Sequence, residues 1–192
     1  GPIGKAIAAF LEREGGILSA EDFARYRAEW VEPIKVGYRG YDVYECPPNS
    51  QGIVLLQALQ ILEGYDLRAR GPMHPETVHV MVEALKLAMA DREHFVGDPK
   101  MVSVPVAALL SRAHAEAQRN RIDPGKALTW PLPKVALPQT GHTTVIVAAD
   151  REGNLLSVTT SLGNHWLVAG ETGIVLNNRL RMFHLDEGHP NR

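Results

Sequence analysis

The chain has 192 residues, of which 45% are hydrophobic and 22% charged, and its formal net charge at pH 7 is -2. This composition is ordinary for a globular protein of one domain or slightly more, and without a basic excess nothing indicates nucleic acid or an anionic membrane surface as a partner. Cys46 is the only cysteine, which excludes an intrachain disulfide, and without a His-rich cluster the sequence carries no metal-site signature. We expect Cys46 to be structural and no metal or cofactor to take part. No apolar run approaches the roughly 20 residues of a membrane-spanning helix.

Helical patterns dominate the chain before residue 143. A first helix is expected to stop at Gly15-Gly16, and Ser19 with Asp22 resembles the start of a short helix that reaches about Arg27. The elements expected next are strands at 34–38 and 41–46 around a turn at Arg39-Gly40, a loop at 47–52, and an apolar helix at 53–63 closed by Gly64.

The longest expected helix runs from Pro75 to about His94 and is ended by Gly97-Asp98-Pro99. Its apolar spacing predicts a buried stripe made of Val78, Val82, Leu85 and Met89. A further helical region is expected from Pro105 to Arg121. The histidines of this part of the chain have no metal-ligand spacing and are expected to be structural: His74, His79, His94 and His114.

An extended linker is predicted between residues 129 and 142. The residues that break up any regular element there are Pro131, Pro133, Pro138 and Gly141. The linker ends abruptly at a β-rich run that begins with Thr143. Both faces of residues 144–149 are largely apolar, which predicts a strand covered on both sides.

A β-hairpin is predicted from two β-rich runs, 143–149 and 155–161, with the turn-forming residues 150–154 between them. If this five-residue loop closes symmetrically, antiparallel counting sets Thr143 directly opposite Ser161. Their β-carbons would then be about 4.5 to 5.5 Å apart. Two hydroxyl groups would meet at the open end of the hairpin.

Thr143 has a special chemistry if the peptide bond between His142 and Thr143 is cut. The freed α-amino group would have an unperturbed pKa of about 7.7 to 8.0, which suits a general base acting on the hydroxyl of the same residue. While the bond is intact, the nitrogen is an amide and cannot be that base. The alternative is an ordinary hairpin whose threonines serve strand propensity.

Longer stretches of the sequence resemble the γ-glutamyltranspeptidase family of N-terminal-nucleophile hydrolases. The similar segments are HTT before a strand, DREGN at the turn, VTTSL at the end of the next strand, and then VAGETGIVLNNR and FHLDEGHPN. An upstream segment also resembles the large subunit of the same family: GGILSAEDFARYRAEWVEPIKVGYRGYDVYECPPNSQG. The resemblance implies an α+β chain that is part of an αββα sandwich, with helices mostly before residue 143 and antiparallel strands after it. Residues 1–142 would come from the large subunit and residues 143–192 from the small subunit.

The resemblance also implies an activity: a zymogen cleaves itself before Thr143 and then hydrolyses an amide or transfers its acyl group, as in glutathione metabolism. The expected partners are a small-molecule amide or γ-glutamyl substrate, the missing parts of both subunits and a second copy in a homo-oligomer. In the family, the oxyanion hole follows this stretch and the arginine that binds the substrate carboxylate precedes it, so the fragment alone would be inactive.

Two alternatives stay open. The parent protein would be an acylase or amidase of the same scaffold that acts on a non-glutamyl acyl group, or a non-catalytic homologue that is never processed. The compartment also stays open: the resemblance allows a periplasmic or secreted parent, and a cytoplasmic one is the alternative.

Residue by residue, the resemblance places the nucleophile at Thr143, followed by Thr144, and the residue that hydrogen-bonds the nucleophile at Ser161. This agrees with the register count. His142 would assist the cleavage as a base or merely be exposed at the cut.

The sequence departs from the family around the α-amino end of the γ-glutamyl group. The family's asparagine falls on Gly163, with Asn164 adjacent, its glutamine on Arg179 and its aspartate on Met182. A buried ammonium beside arginines without a carboxylate would cost several kcal/mol. Arg179 and Arg181 would instead suit an acyl group that carries a carboxylate. The alternative is that both are solvated or pair with Asp186 or Glu187.

Several other residues have both a functional and a structural interpretation. His165 and Trp166 would line the cleft or cap the sheet, and the loop 47–52 would border the cleft or be a plain loop. The residues expected to shape the backbone near the site are Gly170, Gly173, Asn177 and Asn178.

Overall fold

The computed structural model describes residues 1–129, 142–163 and 167–192 of the chain. Within these ranges, side chains are described except at 142–144, 162–163 and 180–181. The chain forms two compact units, one from residues 1–29 and 133–182 and the other from residues 30–132 and 183–192. Each unit therefore draws on residues from both sides of the predicted cut before Thr143.

Helices and short antiparallel sheets make up the described residues, as predicted for an α+β chain. The helices are α1 (Pro2–Arg13), α2 (Ala20–Arg25), α3 (Gly52–Leu62), α4 (Leu67–Arg70), α5 (Pro75–Phe95), α6 (Val106–Leu109) and α7 (Arg112–Arg119), with 3-10 helices at Gly170–Thr172 and Arg179–Met182. The strands pair as three two-stranded sheets: β1 (Ile34–Tyr38) with β2 (Tyr41–Glu45), β3 (His142–Ala149) with β4 (Leu155–Gly163), and β5 (Leu167–Val168) with β6 (Val175–Leu176). Among the helices so described, none combines the length and apolarity needed to cross a bilayer.

Helix α3 lies at the centre of the second unit and packs against α5, α7 and the β1–β2 hairpin. It is apolar on nearly every side, and Ile53, Leu56 and Ile61 are almost completely buried. A helix that is hydrophobic all round is stable only when it is enclosed by other elements. The core of this unit is therefore built around α3.

The buried face of α5 differs from the predicted stripe. Val78, Val82 and Leu85 are 43%, 45% and 45% exposed, and Met89 is partly buried. The residues buried instead are Thr77, Val80, Glu83, Ala84, Leu87, Ala88 and Asp91. Polar as well as apolar side chains thus occupy the buried face, and neighbouring elements supply hydrogen bonds to Glu83 and Asp91.

Asp91 shows how such a polar residue is accommodated. Its Oδ2 accepts hydrogen bonds from Gln57 Nε2 at 2.8 Å, Gln118 Nε2 at 2.9 Å and His114 Nε2 at 2.6 Å. These donors lie on α3 and α7, so one carboxylate links three helices. Buried polar groups that are satisfied in this way stabilise one specific packing arrangement.

The helical region predicted at 105–121 is interrupted. It forms α6 and α7, and the Ser111 side chain accepts a hydrogen bond from the His114 N–H at 3.1 Å. A serine that caps a helix N-terminus starts a new helix and does not continue the previous one. This local preference explains the break.

The glycine after α3 has a different role from the predicted helix closure. Gly64 has no positive φ, but a β-carbon on it would overlap the Arg119 guanidinium. That guanidinium donates to the carbonyl oxygens of Ile61 and Gln60 at 2.9 Å each, and so caps the end of α3. Gly64 is therefore needed for the close approach of Arg119.

The first unit contains α1, α2 and the strands after residue 142. Ser19 and Asp22 form the predicted capping box at α2, which ends at Arg25, two residues earlier than expected. The prediction that β3 is covered on both sides is wrong for this chain, since Val145, Ile146 and Val147 are 55%, 55% and 74% exposed. Within the described ranges only β4 pairs with β3, and a two-stranded ribbon cannot cover its own faces.

Candidate active site

The turn between β3 and β4 fixes the register of the hairpin. Asp150 N–H donates to the carbonyl oxygen of Asn154 at 3.1 Å, and Asn154 N–H donates to Asp150 Oδ1 at 2.8 Å. Gly153 has φ of 86°, a conformation that glycine adopts without steric cost. Hydrogen bonds from the Asn154 side chain and from backbone amides of the turn lower the pKa of Asp150. The five-residue loop therefore closes as predicted.

From this turn the ladder runs regularly to the predicted reactive pair. Ala149 pairs with Leu155, and six residues further back Thr143 pairs with Ser161. Residues that lie directly opposite in an antiparallel ladder share one face of the sheet. The predicted juxtaposition of Thr143 and Ser161 is confirmed at the level of the backbone.

The ladder becomes irregular at the His142–Thr143 peptide bond. His142 pairs with Gly163 and not with Leu162, so the register shifts between residues 142 and 143. An extra residue on one strand of a pair disrupts the regular hydrogen bonding at that point. The predicted cleavage bond thus lies at a strand end with a β-bulge, outside any helix.

The segment after the hairpin contains the predicted backbone-shaping residues. Gly170 and Gly173 have φ of 54° and 70°, and Asn177 Oδ1 accepts a hydrogen bond from the Arg179 N–H at 2.9 Å. Asn178 is half-buried. The first three residues therefore fix turns and the start of a 3-10 helix, as the sequence indicates.

Arg179 contacts a neutral neighbour. Its Nη1 lies 3.6 Å from the Sδ of Met182, the residue on which the resemblance would place the family's aspartate. Glu187 pairs with Arg192 at 3.4 Å. The alternative in which Arg179 and Arg181 are solvated or pair with Asp186 or Glu187 stays a prediction.

Several predicted site residues lie outside the described part of the chain. They are Asn164, His165 and Trp166, and residues 130–141 of the linker predicted at 129–142 lie outside it as well. Only backbone positions are described for His142, Thr143, Thr144, Gly163 and Arg181.

The histidines expected to be structural, and the loop 47–52, make structural contacts. His74 Nδ1 accepts from the Glu76 N–H at the start of α5, His79 and His94 contact backbone carbonyls, and His114 binds Asp91. The loop 47–52 is tied by Ser50 Oγ, which donates to the Cys46 carbonyl at 2.8 Å. Cys46 itself is exposed and free.

Glu83 and Lys86 form a contact with Leu128, just before the predicted linker, that was not predicted from the sequence. Glu83 Oε2 accepts the Leu128 N–H at 2.8 Å, while Lys86 Nζ lies 2.7 Å from Glu83 Oε1 and donates to the Leu128 carbonyl at 3.2 Å. Burial favours a raised pKa for Glu83, but the hydrogen bonds from Lys86 and Leu128 and the charge of Lys86 outweigh it and lower the pKa. The two side chains fix both backbone groups of Leu128, two residues before the described chain is interrupted. Only the Glu-Lys spacing of three residues on a helix could have suggested it.

The chain is similar to known proteins along its whole length. Residues 1–192 match the family model described as Gamma-glutamyltranspeptidase. The chain is 38% identical over 198 residues to the glutathione hydrolase proenzyme of Escherichia coli (strain K12), a match that covers 100% of this chain and 34% of that protein. It is 36% identical over 196 residues to the Acylase ACY 1 proenzyme of Pseudomonas sp. (strain SE83), again over 100% of this chain and 34% of the relative.

Among solved structures, the crystal structure of cephalosporin acylase from Bacillus halodurans superposes with a TM-score of 0.84 at 39% identity. That match covers 100% of this chain and 34% of the acylase. The chain therefore belongs to the γ-glutamyltranspeptidase family, as the resemblance predicted, and it spans about a third of the length of these relatives.

Proposed function

We propose that the parent protein is an N-terminal-threonine hydrolase or transferase that cleaves itself between His142 and Thr143. The pairing of Thr143 with Ser161 carries this proposal, because it brings a serine hydroxyl to the face of the sheet shared with the nucleophile. The β-bulge at the same peptide bond and membership of the family support it further. The division into large-subunit residues 1–142 and small-subunit residues 143–192 follows from this cut.

The cleavage is an acyl shift followed by hydrolysis. Thr143 Oγ attacks the carbonyl carbon of His142, the C–N bond breaks, and the nitrogen takes up a proton to become the amine of Thr143. Water then hydrolyses the ester between His142 and Thr143 Oγ, which leaves a carboxylate on His142 and a free hydroxyl on Thr143. Ser161 positions the hydroxyl, and His142 is exposed or assists as a base.

In turnover the freed amine takes the proton of its own hydroxyl as Oγ attacks the substrate amide. The substrate's amine leaves with a proton, and the acyl group stays on Oγ until water or another amine removes it. Each donor of an oxyanion hole would contribute about 2.7 to 4 kcal/mol to this step. The complete parent would supply that hole and enclose the exposed apolar faces of β3 in an αββα sandwich.

The acyl group is the point on which two candidate functions differ. A γ-glutamyl group brings an ammonium, which needs a carboxylate partner, whereas the Arg179 guanidinium lies beside the neutral Met182 sulfur. This contact favours an acylase for a carboxylate-bearing acyl group, bound by Arg179 and Arg181, with Thr144, Gly163 and Asn164 lining the same site. Two of the relatives are acylases by name, which supports this second candidate.

Self-cleavage is tested on the full-length parent by a time course on denaturing gels. We expect two products from the parent, slower cleavage of Thr143→Ser, and none of Thr143→Ala, with Thr160→Ala as a control at an exposed position of β4. A single chain that persists through long incubation would contradict the enzyme interpretations and favour a non-catalytic homologue.

A further inference from the structure

Residues 183–192, here called the clasp segment, lie against the end of α5 in the second unit. His189 Nε2 lies 3.4 Å from Glu93 Oε2, and His184 Nε2 lies 4.0 Å from the same oxygen. The two imidazole rings stack with centroids 3.5 Å apart and planes inclined by 10°. The other oxygen of Glu93 is paired with Arg92. A carboxylate of α5 thus hydrogen-bonds one histidine of the clasp segment, His189, and lies near the second, His184.

Backbone hydrogen bonds within the clasp segment fold it into a loop, and this loop packs against the residues that follow α5. His184 N–H donates to the Asn191 carbonyl at 2.9 Å, and His189 N–H donates to the Asp186 carbonyl at 3.1 Å. A β-carbon on Gly97 would overlap the carbonyl oxygen of Pro190. The absence of a side chain at Gly97 is what allows this close backbone approach.

The hydrogen bonds of His189 decide whether Glu93, His184 and His189 form a metal site or a hydrogen-bonded contact. The ligand atoms of Glu93, His184 and His189 lie within 4.8 Å of one another, a spacing that invites comparison with a metal site. However, the Asn191 N–H can only donate, and it lies 3.0 Å from His189 Nδ1, so Nδ1 accepts. The proton of the neutral ring is then on Nε2 and points to Glu93. A ring whose Nε2 carries a proton has no lone pair there for a metal.

The ring geometry leads to the same conclusion. Two histidines that ligate one ion direct their lone pairs to a common point. The lone pairs of stacked rings inclined by 10° are instead nearly parallel and do not converge. The cluster is therefore a hydrogen-bonded contact between two parts of the chain.

We propose that the clasp segment holds together the two products of the cut between His142 and Thr143. This inference rests on the proposed self-cleavage: α5 belongs to the upstream product and residues 183–192 to the downstream one. Before the cut, Glu93, His184, His189, Gly97 and Pro190 stabilise a single chain. After the cut, the same residues form a noncovalent interface in the unit that does not contain Thr143.

The test uses the processed full-length parent and two variants that weaken the contact differently. His189→Ala removes the Nε2 donor to Glu93, and Gly97→Ala places a methyl group against Pro190 while leaving every polar side chain intact. Gly37→Ala is the matched control, because a β-carbon there would meet nothing within 4 Å. Denaturing gels report the cut, and hydrogen exchange with mass spectrometry reports residues 183–192 relative to α3.

We expect both variants to be cut normally and to exchange at residues 183–192 about tenfold faster or more, relative to α3, whereas Gly37→Ala stays like the parent. The urea concentration that separates the two products on size exclusion should fall in the same two variants. EDTA should change neither result.

Three outcomes would overturn the proposed role of the clasp segment. They are amide hydrogens at residues 183–192 that exchange without protection in the processed parent, no selective acceleration of exchange in either variant, or release of the products by EDTA. An uncut chain is a different result, since it would overturn the proposed function and remove the interface on which the clasp depends.

Discussion

Thr143 and Ser161 are direct partners across the antiparallel ladder of β3 and β4, six residues back from the Ala149–Leu155 pair that closes the turn. The register is set by the turn, because a hairpin loop of fixed length allows one pairing only. A shift of one position would move every residue of β4 to the opposite face relative to β3. The site therefore depends on the turn at residues 150–154 as much as on its own residues.

Ser161→Ala should slow both self-cleavage and turnover of the full-length parent. The proposed hydrogen bond by which Ser161 would position the Thr143 hydroxyl would be lost, which corresponds to about a tenfold reduction or more. Ser157→Ala is the control, since Ser157 pairs with Val147 further along the same strand and is exposed. Rate constants from gels and from an anilide substrate check this, and equal rates for the two variants would remove Ser161 from the site.

The preferred acyl group should be one with a carboxylate and no α-amino group. A glutaryl anilide is expected to have a higher kcat/KM than the γ-glutamyl anilide in the processed parent. Arg179→Met should reduce kcat/KM for the glutaryl compound by about tenfold or more, as expected for the loss of a charge-assisted pair. A clear preference of the parent for the γ-glutamyl compound would contradict the role assigned to Arg179.

Glu83→Gln should destabilise the parent at neutral pH by about 1 to 3 kcal/mol, because the buried contacts with Lys86 and Leu128 lose their charge. The folded-state pKa of Glu83 lies below its ordinary value of 4.5, so this stabilisation is complete above that pH and is lost as the pH falls through the folded-state pKa. Urea titrations at several pH values check this. The exposed Glu116→Gln is the control, and a pH-independent difference between Glu83→Gln and the parent would be the contrary result.

Asp91→Leu should cost more stability than a surface substitution, because the buried Gln57 and Gln118 and the partly buried His114 all donate to one oxygen of Asp91. Leaving Gln57, Gln118 and His114 without this acceptor costs about 1 to 3 kcal/mol for each group that water cannot reach. The midpoint of thermal unfolding measures the effect. A variant as stable as the parent would show that the network contributes nothing to folding.

Signals carried by neighbouring residues were sufficient to predict many elements. The capping box of Ser19 and Asp22, the hairpin around Arg39-Gly40 and the turn at 150–154 all depend on residues within five positions of one another. The pairing of Thr143 with Ser161 followed from the turn by counting. The local pattern left an ordinary hairpin as an alternative to a reactive pair, and sequence similarity to the family favoured the reactive interpretation.

The predictions of which side chains are buried were wrong where residues distant in the sequence determine the burial. Hydrophobic spacing favoured Val78, Val82 and Leu85 as the buried face of α5, but Glu83 and Asp91 are buried by partners 45 and 34 positions away. The contact of Glu93 with His189 joins residues 96 positions apart. Such pairs have no periodic signal, so a single sequence cannot indicate them.

The most direct measurement of the central claim is the N-terminal sequence of the smaller product released by the full-length parent on incubation. The account predicts that it begins Thr143-Thr144-Val145 and that no such product forms from Thr143→Ala. A product that begins at any other residue, or cleavage that continues in Thr143→Ala, would contradict it.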